Sequence, residues 1–361
     1  MTNQIISRET ILRILDRARW APSGDNTQPW RFEIVSNDQV IVHGHDTRDE
    51  ILYDFDGHAS HMAHGALLET MRIAASAEGL AMEWRISSDP EWRKIQYTIN
   101  FLQSPSLAAD PLHSFIEQRS VQRRPMKMTP LTSTQRQALV AAGDQFDIQL
   151  FETFAERKAV AKLLWDNAYI RLTCPEAFPV HQSIIEWGAR FSKDRIPEQA
   201  VGVDPLTAKL MKWVMQSWGR VEFFNRYLLG TVAPRIQLDY LPAVYCAAHI
   251  LIRPKSAPQS LADWVSLGQT MQRVWLTATQ QGLHLQPEMT PVIFRWYARA
   301  GRSFSVHSEF VKRSKDLALD FERLANVSDD ESFGFFGRVG VSSVPNSRSV
   351  RLELGELFVG A

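Results

Sequence analysis

Cysteine is nearly missing from this sequence: Cys174 and Cys246 are the only two among 361 residues. They make no CxxC pair and no disulfide framework, so a thiol-ligated metal site and a disulfide-stapled secreted domain are not expected. Long apolar runs are absent too, and none approaches the roughly 20 residues of a membrane-spanning helix. The N-terminus, MTNQIISRETILRIL, is polar and amphipathic and lacks the apolar core of a signal peptide. No charge of one sign dominates, because 40 Lys+Arg balance 40 Asp+Glu. That removes the electrostatic pull towards nucleic acid or an anionic bilayer. These absences predict a cytoplasmic protein with a small-molecule substrate, no nucleic-acid partner and no membrane.

What the chain does have is apolar and aromatic mass. It is 45% hydrophobic, with 11 Trp and 19 Phe, enough for one large domain or two ordinary ones. Aromatics bury well and also line pockets for flat ligands. Residues 7–20 read as a helix capped by Ser7, with Ile11, Leu12, Ile14, Leu15 and Ala18 on its apolar side. APSGDNTQPW (21–30) breaks it, and 31–35 and 39–43 read as strands joined by a turn at 36–38. A long helix over 57–80 is followed by alternating segments at 82–86 and 93–101. SPSLAADP (104–111) reads as a connector before an Arg-rich stretch at 117–124. Further on, a helix starts near Ser133, a strand covers 147–152 and a helix covers 155–172. The region 181–230 carries Trp187, Phe191, Trp213, Trp218, Phe223, Phe224 and Tyr227 on two or three helices broken by Pro197 and Pro205. AVYCAAHILI (243–252) reads as a buried strand and 261–282 as a second long helix. The segment 325–337 reads as a loop, and 338–356 as an extended, Arg-bearing tail.

The two long helices echo each other. HGALLETMRIAASAEGL and LGQTMQRVWLTATQQGL place Gly near the start and Gly-Leu at the end. Gly65 and Gly79 match Gly268 and Gly282, while Leu68, Met71 and Ala75 match Met271, Val274 and Ala278. A small residue permits close backbone approach, and a terminal Gly supplies a left-handed cap. One helix type used twice points to an internal duplication.

Several residues suit the recognition of a flat, phosphorylated ligand. Ser23, Asn26 and Gln28 sit on a loop stiffened by Pro22 and Pro29, and short polar side chains satisfy the rim of a buried heterocycle. Arg119, Arg123 and Arg124, in QRSVQRRP, offer guanidinium forks for a phosphate, with Ser120 as a hydroxyl donor. Arg348 and Arg351 from the tail could close the same pocket. Trp20 and Trp30 read as core. His43, His45, His58, His61 and His64 cluster along the chain, but no HExxH or His-plus-Cys set accompanies them, and no metal is expected; a surface or core-edge role fits them better.

ARWAPSGDNTQPWRFEIV (18–35) strongly resembles the helix-and-loop signature of nitroreductase-like flavoproteins. QRSVQRRP (118–125) is similar to that family's Arg-Ser motif, displaced to follow the loop signature, and PNSRSVRLELGEL (345–357) loosely matches its Arg-bearing tail. In ordinary members both motifs occur in one subunit, and FMN sits at a dimer interface. Here each half carries one motif, so the resemblance implies one complete site in a single chain. It implies an α+β nitroreductase-like fold, a central antiparallel or mixed sheet flanked by helices, with two fused pseudo-dimeric halves. The halves would be 1–110 and 111–361, the second with an aromatic lid insert at 181–235; further homodimerisation stays open. It also implies FMN as cofactor, NAD(P)H as co-substrate and no side-chain catalyst, because flavin N5 carries the chemistry. The cofactor-binding residues would be Pro22, Ser23, Asn26, Gln28, Arg119, Ser120, Arg123, Arg124, Arg348 and Arg351. To these it adds Gln286, Glu288 and Met289 of LHLQPEMTPV (283–292), chiefly through main chain facing N5. Trp213, Trp218, Phe223 and Phe224 would cover the flavin. The implied activity is hydride transfer to a small nitro-, quinone- or enone-like acceptor. The alternatives are an FMN store with little turnover and a biosynthetic partner domain.

Overall fold

A computed structural model describes residues 6–360. Ser7 begins the first helix, Arg8–Ala18, because its hydroxyl accepts the Thr10 N–H at 3.1 Å. Ile11, Ile14, Leu15 and Ala18 turn inward at helical spacing. The chain then builds a four-stranded antiparallel sheet from Trp30–Ile34, Gln39–Gly44, Leu80–Ser88 and Ile95–Gln103. Its spatial order is first, second, fourth, third. The long helix His58–Ala77 lies between the second and third strands in sequence.

The second half repeats this plan. Asp147–Phe151, Ala248–Arg253, His284–Pro287 and Phe335–Gly340 form another antiparallel sheet in the same order: first, second, fourth, third. Again a long helix, Leu261–Gln280, separates the second and third strands. The echo between the helices is thus an echo between whole four-strand units. The second unit differs by carrying residues 152–247 between its first two strands.

The long helices cross through their matched glycines. A Cβ on Gly65 would collide with the Val265 carbonyl and stand 2.9 Å from the Gly268 Cα, and one on Gly268 would collide with the Met62 carbonyl. Only hydrogen at both positions lets the backbones meet. Gly79 and Gly282 follow the helix ends at φ 71° and 72°, the left-handed region that glycine enters freely.

Three sequence expectations change. Part of the expected loop and tail is the strand Phe335–Gly340, paired on both sides and buried at every residue. A strand covered on both faces has no polar alternation to reveal it, and its glycines imitate a loop. Pro205 opens the helix Pro205–Val214, one residue after the Asp204 cap, instead of breaking one. His61 and His64 are buried core residues, not surface or edge ones; His64 donates to the Pro29 carbonyl at 2.7 Å and accepts from the Tyr97 hydroxyl at 3.1 Å.

Candidate functional site

Where the first helix ends, Arg19 and Trp20 lead into the 21–30 loop. Asp25, Asn26 and Gln28 take left-handed φ values of 49°, 66° and 49°, each a cost of about 1 kcal/mol or more for a side-chain-bearing residue. The loop is held by Ser23, whose hydroxyl accepts the Gln28 N–H at 2.9 Å. Gln28 adds three ties: its amide donates to the Asn26 and Lys193 carbonyls at 3.0 and 2.8 Å, and its Oε1 accepts the Leu352 N–H at 3.0 Å.

This loop forms one wall of a cavity of about 450 Å³ between the two long helices and the 152–247 insertion, within the range of cofactor sites. Pro22, Ser23, Asn26, Arg119, Ser120, Arg123, Gln286, Glu288, Met289, Arg348 and Arg351 all line it. The residues from the front loop and the rear arginines therefore meet at one place. Two expected residues do not reach the cavity. Gln28 is fully buried behind the loop, consumed by its three ties. Arg124 is exposed, and its N–H is held by Gln122 Oε1.

The arginines set the electrostatics. Arg119 donates to the Trp20 carbonyl at 2.9 Å, Arg351 to the Ala21 carbonyl at 3.0 Å and Arg348 to the Glu117 carbonyl at 2.6 Å. Among the described residues none of these three, nor Arg123, has a carboxylate in ion-pair contact. Burial, with Arg351 and Arg348 nearby, drives the Arg119 pKa well below its ordinary value. Burial and the neighbouring Arg348 bring Arg351 down to about 9, and burial, opposed by the nearby Asp25, brings Arg123 to about 10. A buried cation without a partner costs several kcal/mol, so the cluster of Arg119, Arg348 and Arg351 calls for an anion. Five polar atoms on residues around the cavity are also buried without a hydrogen-bond partner among the described residues: Asn26 Oδ1, Arg119 Nε, Ser120 Oγ, Gln286 Oε1 and Arg338 Nε. Buried polar groups ordinarily have partners, so the five mark this wall as one whose polar side chains are not satisfied within the protein.

Trp20, expected in the core, packs partly buried against it and also faces the cavity. It lines the cavity with the Arg348 guanidinium 5.0 Å from its ring centre, and Arg119 lies 4.5 Å from the Trp275 ring. Trp30 is fully buried. Glu288 does not offer its N–H to a ligand, because that group donates to the Phe336 carbonyl at 2.8 Å. Its carboxylate is clamped by Arg338 at 2.6 Å and His249 at 2.7 Å. Burial opposes charge on both acid and imidazole, yet the pairing prevails: the Glu288 pKa falls, and Cys246 and Glu288 raise His249 to about 10.

The insertion covers the cavity with aliphatic and sulfur side chains, among them Ile184, Ile185, Met211 and Met215. The expected aromatic cover is elsewhere. Trp213 and Phe223 are about half exposed at 47% and 52% and pack on Phe224, while Trp218 lines a small adjoining chamber. Amphipathic helices put their aromatics outward here and their methionines inward. Sequence reasoning also missed Tyr53, Arg171, His181 and Asp239, which line the same cavity. They lie in four separate chain elements and match no motif. Among the described residues no group of His, Cys, Asp and Glu is arranged to hold a metal ion, and no helix is long and apolar enough to cross a membrane.

Residues 1–55 match the nitroreductase family. An uncharacterised protein of Mycobacterium tuberculosis is 26% identical over 316 residues, covering 84% of this chain and 42% of that protein. The chain thus spans less than half that relative's length. Among solved structures, an FMN-dependent nitroreductase from Mycobacterium smegmatis in complex with NADPH aligns with a TM-score of 0.38 and 11% identity, over 68% of this chain and 96% of that one. An iodotyrosine deiodinase bound to FMN and 3-iodo-L-tyrosine aligns with a TM-score of 0.34 and 11% identity, over 67% and 95%. A nitroreductase-like protein from Bacillus cereus aligns with a TM-score of 0.34 and 9% identity, over 68% and 94%.

Proposed function

We propose that the cavity holds one FMN and that the chain is an FMN-dependent oxidoreductase. It would take hydride from NAD(P)H and reduce a small nitro-, quinone- or enone-like acceptor. The observation that carries this reading is the set of arginines lining the cavity without carboxylate partners, beside buried polar atoms that lack hydrogen bonds. Arg119, Arg348 and Arg351 would bind the phosphate. Asn26, Ser120 and Gln286 would meet the polar edge of the ring and the ribityl chain. Met271 and Trp275 on one long helix and Met62 and Ala63 on the other supply apolar walls for a flat ring system. FMN, when bound, supplies the hydride chemistry; the protein's part is placement, charge balance and exclusion of water.

In this reading the two topologically matched halves, 1–110 and 111–361, act as the two subunits of a flavin-binding dimer fused into one chain. The experiment is the absorbance spectrum of the purified protein, followed by anaerobic NADPH. A flavin band near about 450 nm that bleaches on addition supports the reductase. A colourless protein that takes up no added FMN overturns it. The insertion lying across the cavity favours one other reading, an FMN store with little turnover; a band that NADPH and NADH both leave unbleached would select it.

A further inference from the structure

The cavity lining also holds a second polar group, built from paired side chains instead of unpaired arginines. Arg171, at the end of the helix Phe154–Thr173, donates through Nη2 to both oxygens of Asp239, at 3.0 and 2.7 Å. Among the described residues its Nε and Nη1 have no protein acceptor, and both remain accessible. Beside it, the Tyr53 hydroxyl and His181 Nε2 lie 2.9 Å apart with their rings stacked. Burial, reinforced by Arg171, lowers the His181 pKa to about 3, so the imidazole is neutral. A neutral imidazole leaves the pair able to present either a donor or an acceptor, according to its tautomer.

This end is electrically balanced. The guanidinium groups lining this end are each paired, Arg171 with Asp239 and Arg338 with Glu288, and at Asp239 the charges of Arg171, Arg338 and Arg235 act against that of Glu288. An incoming anion would find no uncompensated cation here, whereas a neutral oxygen acceptor would meet open guanidinium donors and the Tyr53–His181 pair. Arg171 and His181 also form part of the wall of the adjoining chamber of about 80 Å³, whose remaining lining includes Leu172, Phe178, Trp218 and Val221. A water occupies roughly 10–15 Å³ by this kind of measure, so the chamber has room for a substituent of a few carbons.

We propose that Tyr53, Arg171 and His181 form a subsite for a neutral, flat ligand that carries one oxygen acceptor, and that the adjoining chamber receives a short apolar substituent on that ligand. The site discriminates by charge and by shape: it turns away anionic analogues and favours substituted over bare rings. The proposal rests on the arginine end being the cofactor's place, because that leaves this end for the acceptor.

The test uses the full chain as purified. Three probes are titrated against tryptophan emission: a butyl-substituted naphthoquinone, its unsubstituted parent and a sulfonated naphthoquinone. The butyl compound binds tightest and the sulfonated one weakest. Tyr53→Phe and Arg171→Lys each raise the butyl compound's Kd about five- to tenfold, the scale of one lost hydrogen bond. Val221→Leu, which narrows the chamber, removes the preference for the butyl compound over its parent. Tyr53→Phe deletes one hydroxyl and keeps the stacked ring, so it stays informative if Arg171→Lys does not fold. Tighter binding of the sulfonated probe, or an unchanged Kd in Tyr53→Phe, overturns the proposal. Flavin content is measured on the same samples. Loss of the cofactor reading is a colourless protein, whereas loss of the subsite is a set of Kd values insensitive to these variants.

Discussion

Gly65 and Gly268 pack backbone to backbone, with the Gly268 Cα only 2.9 Å from where a Gly65 side chain would begin. The crossing of the two long helices sets the spacing of the two sheets and of the cavity between the halves. Gly65→Ala and Gly268→Ala gain some helix propensity, about 1 kcal/mol, but force the helices apart, which costs about 1–3 kcal/mol or more where backbone must move. A net loss of about 2 kcal/mol is expected for each in urea denaturation. The double variant should lose less than the sum, because one displacement relieves both clashes.

Arg119 is expected to work against the empty fold. It is buried, without a carboxylate partner, among other arginines. Arg119→Met should raise the thermal midpoint of flavin-free protein while weakening FMN retention at least tenfold. Inorganic phosphate should stabilise the parent chain and leave the variant's midpoint unmoved. Equal phosphate stabilisation of both would remove Arg119 from the anion site.

Six histidines make the fold acid-sensitive. Burial lowers His58 to about 2, His61 to about 4, and His64 and His181 to about 3. A depressed histidine contributes stability that is complete above its unfolded pKa of about 6.5 and is lost as pH falls towards the folded value. Asp239 runs the other way: burial raises it to about 6, so its contribution is complete below about 3.9 and lost as pH rises through 6. Burial raises Asp25 too, and it lowers His45 and His284; six depressed histidines outweigh two raised carboxyls, and urea midpoints should decline from about pH 6.5 downwards, by up to about 1.4 kcal/mol per group per pH unit. His61 is fully buried; His61→Leu should flatten the decline between pH 6.5 and 4.

Glu288 neutralises two buried cations at once, Arg338 and His249. Glu288→Gln leaves both uncompensated and should cost about 3–5 kcal/mol in equilibrium unfolding. Glu78→Gln, which breaks the exposed pair with Arg13 at 2.7 Å, should cost no more than about 1 kcal/mol. Similar losses from the two substitutions would contradict the buried clamp.

Much of the fold was legible wherever a local rule had one outcome. Ser7, the glycine pairs and the alternating strands of the first sheet stand where the pattern placed them. The helix Ser308–Ala325 went unread, although Phe310, Ser314, Leu317, Phe321 and Ala325 are buried at helical spacing. Phe335–Gly340 was not legible, because burial on both faces erases alternation. Within the cavity, the loop and arginine residues announced themselves as motifs. Tyr53, Arg171, His181 and Asp239 did not, because their chemistry arises from contact between segments far apart in sequence.

Local chain chemistry was enough to determine where helices cap, where the loop must turn, and that two similar helices occur in two similar settings. It also determined that guanidinium forks recur in two short stretches, at 119–124 and 348–351. Tertiary structure alone decided which of those arginines are buried without a carboxylate in ion-pair contact, that Gln28 ties the loop instead of lining the cavity, and that the insertion turns Met211 and Met215 towards the cavity and Trp213 out. Propensity and capping act over a few residues and can be read from them; desolvation and pairing depend on what the rest of the chain brings alongside.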